Sequence, residues 1–256
     1  MFGFLKRRPE PVRRNVVKFI TRPAHVYAIG DVHGCLRELR RLEGMIAEHL
    51  SDREGESLVI YLGDYVDRGP SSAGVLDHLL GRSHGPWERI FLGGNHEAMM
   101  LDFLGKPAHD HAWLKYGGME TLQSYGLDGT SLFGGGHKLA TQKLVTCIPE
   151  QHSTFLRERP ACVAMDGFVF AHAGLRPGVA VEEQSPDDLV WLRLPENAYP
   201  SPQPFGTVVH GHTPAPAPLV EPHRICVDTG AYATGILTAV YLGPDGERAF
   251  LSTMPA

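Results

Sequence analysis

Cysteine is scarce in this 256-residue chain, and the four present, Cys35, Cys147, Cys162 and Cys226, include no C-x-x-C spacing. That scatter suggests neither a zinc knuckle nor a disulfide framework, so they read as ordinary reduced thiols. No apolar run approaches the ~20 residues that span a bilayer. The apolar patch opening "MFGFLKRRPEPVRR" is too short before its charges to be a signal peptide. No transmembrane segment and a cytoplasmic location are therefore expected. Positive charge is confined to one place. Residues 1–22 hold seven Lys or Arg and one Glu, a local +6 in a chain of formal charge −5, which leaves −11 on the rest. So acidic a body argues against gripping phosphate backbones, and no nucleic-acid partner is expected. The basic leader, residues 1–24, reads as a solvated, partly disordered tail. Internal repeats and low-complexity tracts are missing too.

What is present is 43% hydrophobic content, enough for one α/β core, and fourteen histidines. Residues 25–256 are read as a single domain. Short apolar runs recur, each followed at once by a Gly-rich polar cluster: "HVYAIGDVHG", "SLVIYLGDYVDRG", "RIFLGGNHE", "GFVFAHAG" and "TVVHGHTP". A strand buried on both faces and ending in a functional loop has this form. Between the first two, Leu36, Leu39, Leu42, Ile46 and Leu50 have near-helical spacing and predict an amphipathic crossover helix. Further helices are predicted over "SSAGVLDHLLG", ending at Gly81, and "HEAMMLDFLG", ending at Gly105. Strand, helix, strand, helix is an α/β order. Residues 106–160 break it and read as a mainly helical insertion, a lid or wall over the sheet ends. The eight prolines from Pro195 to Pro222 predict irregular loop around one short strand, and "RICVDTGAYATGILTAVYLG" returns to antiparallel β character.

Metals such as Mn, Fe or Zn need carboxylates and imidazoles converging from several loops, and open α/β sheets gather loops at the carboxyl ends of their strands. The five loops offer Asp31 and His33, then Asp64, then Asn95 and His96, then His172, then His210 and His212. A pair of divalent ions ~3.5–4 Å apart needs a ligand reaching both, a place suited to a carboxylate. Asp64 is the candidate bridge. Asp67 lies too far along its loop to bind the same pair easily and needs another task.

In order and spacing, "GDVHG", "GDYVDRG", "GNHE", "HAG" and "GHTP" resemble the signature of the phosphoprotein phosphatase family of metallophosphoesterases over about residues 25–235. "WLKYGG", "TLQSYG", "HAGLRPGV", "VVHGHTP" and "DTGAYATG" look like its bacterial serine/threonine phosphatase branch. The resemblance implies a central β-sandwich of mixed sheets flanked by helices, the calcineurin-like metallophosphoesterase fold. It implies two divalent ions, with Mn2+ expected first and Fe or Zn as alternatives. Asp31, His33 and Asp64 would hold one, and Asp64, Asn95, His172 and His212 the other. His96 becomes the general acid, Asp67 its orienting carboxylate, and Arg68, Asn95 and Arg193 phosphate contacts. The implied reaction is single-step hydrolysis by a hydroxide shared between the metals. The expected substrate is a phosphorylated protein, phosphoserine or phosphothreonine, or a small phosphate ester. Gly93 departs from the Arg or Lys common before "GNHE", and "LPENAYPSPQPF" departs from the acidic residue usual after Arg193.

The alternative substrate is diadenosine tetraphosphate, which the metal motifs do not separate from a phosphoprotein. A nuclease is disfavoured, because Thr213 and Pro214 follow His212 where a paired G-H-x-H ending is usual. A non-catalytic scaffold is disfavoured because Asn95, His96, Asp67 and Arg68 are all kept. His210, two residues before His212, is expected to lie behind the ligands or face the substrate. His109, His111 and His137 are expected on the surface, with Met99 and Met100 in the core.

Overall fold

A computed structural model of the chain describes residues 16–253. Strands β1 (Val16–Lys18), β2 (His25–Ile29), β3 (Ser57–Tyr61) and β4 (Glu88–Phe91) are followed, after a helical stretch, by β5 (Cys162–Met165), β6 (Phe168–Ala171) and β7 (Thr207–His210). Then come β8 (Leu219–Glu221), β9 (Arg224–Cys226), β10 (Thr238–Leu242) and β11 (Arg248–Ser252). They form two mixed sheets, ordered β11-β10-β2-β3-β4 and β1-β5-β6-β7-β9-β8. Strands β2, β3 and β4 run parallel, joined by crossovers through α1 (Leu36–Leu50) and α2 (Ser72–Leu80). Their carboxyl ends therefore share one edge of the sheet, where "GDVHG", "GDYVDRG" and "GNHE" begin.

Alternation along the strands explains the layers. Val26, Ala28, Leu58, Ile60, Val240 and Leu242 face Val163, Met165, Phe170, Val209 and Ile225 of the other sheet, forming the sandwich core. Tyr27, Ile29, Val59 and Tyr61 point the opposite way, onto Leu39, Leu42 and Ile46 of α1. The predicted helices match α1, α2 and α3 (Asn95–Gly105), and Met100 is fully buried. Residues 106–160 carry a 3-10 turn (Ala112–Tyr116), α4 (Gly118–Ser124), α5 (His137–Cys147) and α6 (Glu150–Arg157).

The structure departs from expectation in three places. The leader's Val16–Lys18 is not a loose tail but pairs in parallel with β5, while residues 1–15 lie outside the described residues. The proline-rich region is more ordered than expected. Leu219–Glu221 fits between Pro218 and Pro222 because β8 is an edge strand bonded only to β9. Before it, α7 (Pro186–Trp191) starts on Pro186 with Asp187 and Asp188 in its first turn, which suits the helix dipole. In the tail, β10 and β11 are antiparallel as expected, but β9 runs parallel to β7 and α8 (Ala231–Thr234) intervenes.

Candidate metal centre and active site

The loop after β3 packs its chemistry through unusual backbone. Seven non-glycine residues among those described have positive φ, and five of them are His33, Asp64, Asp67, Arg68 and His212. Each such conformation costs about 1–3 kcal/mol and persists only where the surroundings enforce it. Gly63 takes φ +105, and a Cβ on Gly69 would lie 1.9 Å from the His33 carbonyl oxygen, so the two flanking glycines let these loops touch.

Glu97, on the first turn of α3, enforces much of this conformation. Its Oε2 accepts the N–H groups of Gly94 and Asp64, both at 2.8 Å, and its Oε1 accepts that of Tyr65 at 2.7 Å. One buried carboxylate thus ties "GNHE" to "GDYVDRG". Glu97→Gln replaces one acceptor oxygen by a donor facing N–H groups, and we expect a loss of about 1–3 kcal/mol of stability. Thermal or urea unfolding checks it.

Asp67 is fully buried and saturated. It accepts the Trp113 indole N–H at 2.8 and 3.0 Å and the Thr121 hydroxyl at 2.7 Å, and it pairs with His96 Nδ1 at 2.6 Å. Both Trp113 and Thr121 belong to the 106–160 segment, which therefore walls the site. Burial lowers the affinity of His96 for its proton, but Asp64 and Asp67 outweigh it and raise its pKa above the usual imidazole value. Arg68 reaches back over the loop, with Nη1 3.0 Å from His33 Nε2 and Nη2 3.0 Å from His96 Nε2.

Two groups of potential metal ligands share one carboxylate: His33, Asp64 and His96, and Asp64, His172 and His212. Asp64 Oδ2 lies 3.5 Å from His33 Nε2, and its Oδ1 lies 3.4 Å from His172 Nε2. The donor chemistry fits cations. His33 Nδ1 is 2.8 Å from the Val66 carbonyl and His172 Nδ1 is 3.0 Å from that of Leu62. Carbonyls only accept, so each Nδ1 carries the proton and each Nε2 presents a lone pair. Asn95 Oδ1 lies 3.0 Å from His212 Nδ1 and 2.9 Å from His172 Nε2. The oxygen and His172 Nε2 both present lone pairs, which repel at this distance unless positive charge lies between them.

The electrostatics agree. Burial, followed by repulsion from Asp64 and Asp228, raises Asp31 well above the usual carboxylate range. Burial and Asp64 likewise push Asp228 up to about 6 and Glu97 up to about 8. Burial drives His33 and His212 down to about 3 and lowers His172, keeping their imidazoles neutral, which is the ligating form. Burial and mutual repulsion thus disfavour the carboxylate anions while the imidazoles are held neutral, a set of donors that added positive charge would relieve.

Not every expected residue joins these groups. Asp31 is buried beside them, where its oxygens accept the His212 N–H at 3.1 and 3.2 Å, and the donor atoms of His96 lie near those of His33 and Asp64. Arg193 is exposed at the rim, with Nε 3.4 Å from His212 Nε2. His210 is buried, in keeping with the first of its two expected places, behind the ligands. β7 ends at His210 and His212 sits beyond it at φ +66, so the two-residue strand rule fails there. Its nitrogens are used by the Gly211 carbonyl and the Arg224 Nε–H, both at 2.8 Å. His111 is not simply a surface residue, because its Nδ1 accepts the Trp113 N–H at 3.2 Å. His109 and His137 are exposed. Sequence reasoning missed Glu97, Trp113, Thr121 and Asp228. The "E" of "GNHE" and the "D" of "VDTG" were the only local signals.

Strand ends of a mixed α/β sandwich that converge on His and Asp groups sharing one carboxylate, beside arginines, define a metallophosphoesterase. The chain belongs to the calcineurin-like phosphoesterase family, whose sequence model matches residues 24–233. It is 26% identical over 255 residues to the asymmetrical bis(5'-nucleosyl)-tetraphosphatase PrpE of Anoxybacillus flavithermus, covering 89% of this chain and 94% of that one. It is 35% identical over 111 residues to serine/threonine-protein phosphatase 1 of Salmonella typhimurium, covering 43% of this chain and 46% of that one. In three dimensions it resembles a crystal structure assigned to a candidate diadenosine tetraphosphatase, with TM-score 0.63 and 23% identity, over 95% of this chain and all of the other. Among the described residues, no helix is long and apolar enough to cross a membrane.

Proposed function

We propose that this chain hydrolyses dinucleoside polyphosphates such as diadenosine tetraphosphate with a two-metal centre. The observation that carries the metal-dependent reading is Asp64, common to both His/Asp groups. The substrate reading is supported by the PrpE relative, which is similar over nearly the full length of both chains. Asp31, His33 and Asp64 would hold one divalent ion and Asp64, Asn95, His172 and His212 the other. With Mn2+ first and Fe or Zn as alternatives, the pair would supply a water that ionises near neutral pH and positive charge against the phosphate.

The chain's own residues do the rest. Arg68 and Arg193 offer charge-assisted hydrogen bonds to phosphate oxygens from two sides. Arg68 is only partly buried, so its guanidinium has room to leave the imidazoles of His33 and His96 and meet the substrate. Asp67 holds His96 by Nδ1, which turns Nε2 into the site. As an imidazolium, His96 gives its Nε2 proton to the departing oxygen. Trp113 and Thr121 keep Asp67 from rotating away. The four cysteines are free, which suits the cytoplasm as the place of action.

One feature favours a second reading, a phosphoserine or phosphothreonine phosphatase. A braced proton donor matters most when the leaving group is an alkoxide, and Salmonella serine/threonine-protein phosphatase 1 is similar over part of the chain. The deciding assay compares Mn2+-loaded protein on diadenosine tetraphosphate and on phosphoserine and phosphothreonine peptides. We expect kcat/KM to favour the dinucleotide by about tenfold or more, with activity abolished by a chelator; a tenfold preference for the peptides establishes the second reading.

A further inference from the structure

Beside the centre, between the start of α1 and α8, lies a groove of about 600 Å3 that the reaction as described does not use. That volume falls in the ~300–1,000 Å3 range of small-molecule sites. Leu36, Arg37, Arg40, Pro70 and Tyr232 line it. Tyr232 joins groove and centre. Its ring stands nearly perpendicular to that of His33 at a centroid distance of 5.3 Å, and the Arg68 guanidinium lies 4.7 Å from its centroid. Yet Tyr232 remains 40% exposed, a large aromatic surface left open next to the phosphate-binding arginine.

The charges along the groove are unequal. Arg37 is paired with Glu38 through bonds of 2.7 and 2.8 Å, which leaves Arg40 as the excess cation among the lining residues. A ligand that continues from a phosphate at Arg68 thus meets first an aromatic face and then positive charge. A nucleotide has this make-up, since a base stacks on an aromatic ring and further phosphates suit an arginine. We propose that the groove holds a nucleotide portion of the substrate, with its base stacked on Tyr232. The inference rests on the dinucleotide reading and names the residue that would make the enzyme prefer nucleotides over phosphopeptides.

The test compares two ligands that resist hydrolysis and differ only by adenosine: α,β-methylene-ADP and methylenediphosphonate. Calorimetry on Mn2+-loaded protein gives both dissociation constants. Stacking on one ring predicts that wild type binds the nucleotide about tenfold tighter or better. Tyr232→Ala should bring the two within about twofold, and Tyr232→Trp should restore the preference, which separates lost stacking from lost structure. Equal affinities in wild type, or a preference that survives Tyr232→Ala, overturn the proposal. Turnover is read separately. A protein that prefers the nucleotide but cleaves no diadenosine tetraphosphate contradicts the proposed reaction and leaves the groove assignment standing, whereas turnover without adenosine preference contradicts the groove alone.

Discussion

His96→Asn should lose at least about 10² in kcat on an alkyl phosphate while keeping its metals, the usual contribution of a positioned proton donor. The reason lies in the wiring of the ring. Asp67 fixes Nδ1 at 2.6 Å and is itself saturated by Trp113 and Thr121, so Nε2, which Arg68 Nη2 approaches to 3.0 Å, is the ring nitrogen left to serve the leaving oxygen once that guanidinium turns to the substrate. Asparagine keeps a polar group of similar reach but has no proton to give at neutral pH. The loss should shrink on p-nitrophenyl phosphate, whose leaving group departs without help. Equal losses on both substrates would mean that His96 acts by holding metal, a role its place beside His33 and Asp64 makes the real competitor. Elemental analysis of the variant separates the two.

Asp64→Asn should empty the centre. Asparagine retains an oxygen that can accept the His96 N–H, as Asp64 Oδ1 does at 3.0 Å, so the loop keeps one of its ties. What it loses is the full negative charge and one of two equivalent oxygens. Asp64 Oδ2 faces His33 and Oδ1 faces His172, so each half of the site loses its shared anion at once. Metal content measured by elemental analysis should fall from two ions per chain to less than one, and activity should fall with it. A variant that still binds two ions tightly would remove Asp64 from the bridging role.

Much of this site can be read from the chain, because its parts fall in short runs with fixed local consequences. The leucine and isoleucine spacing of α1 and the glycines around "DYVDR" each determine geometry within a few residues. The centre's supports are different in kind. Trp113 and Thr121 lie 46 and 54 residues from Asp67, and nothing local marks an indole N–H or a hydroxyl as destined for a buried carboxylate. Glu97 looks like an ordinary first-turn helix acid until the fold brings three backbone N–H groups to it. The spacing left the side that His210 faces open for a related reason. Strand periodicity holds only while the strand lasts, and it ends at that residue. The Val16–Lys18 strand was hidden by the charges around it, since pairing with β5 is decided by the partner edge.

Asp64 as the one carboxylate joining two metal ions in a single centre can be tested by electron paramagnetic resonance of the protein titrated with Mn2+. At two ions per chain the spectrum should be that of a spin-coupled pair, and Asp64→Asn should abolish the coupling. Two independent six-line Mn2+ signals at full occupancy, or a coupled pair that persists in Asp64→Asn, would contradict it.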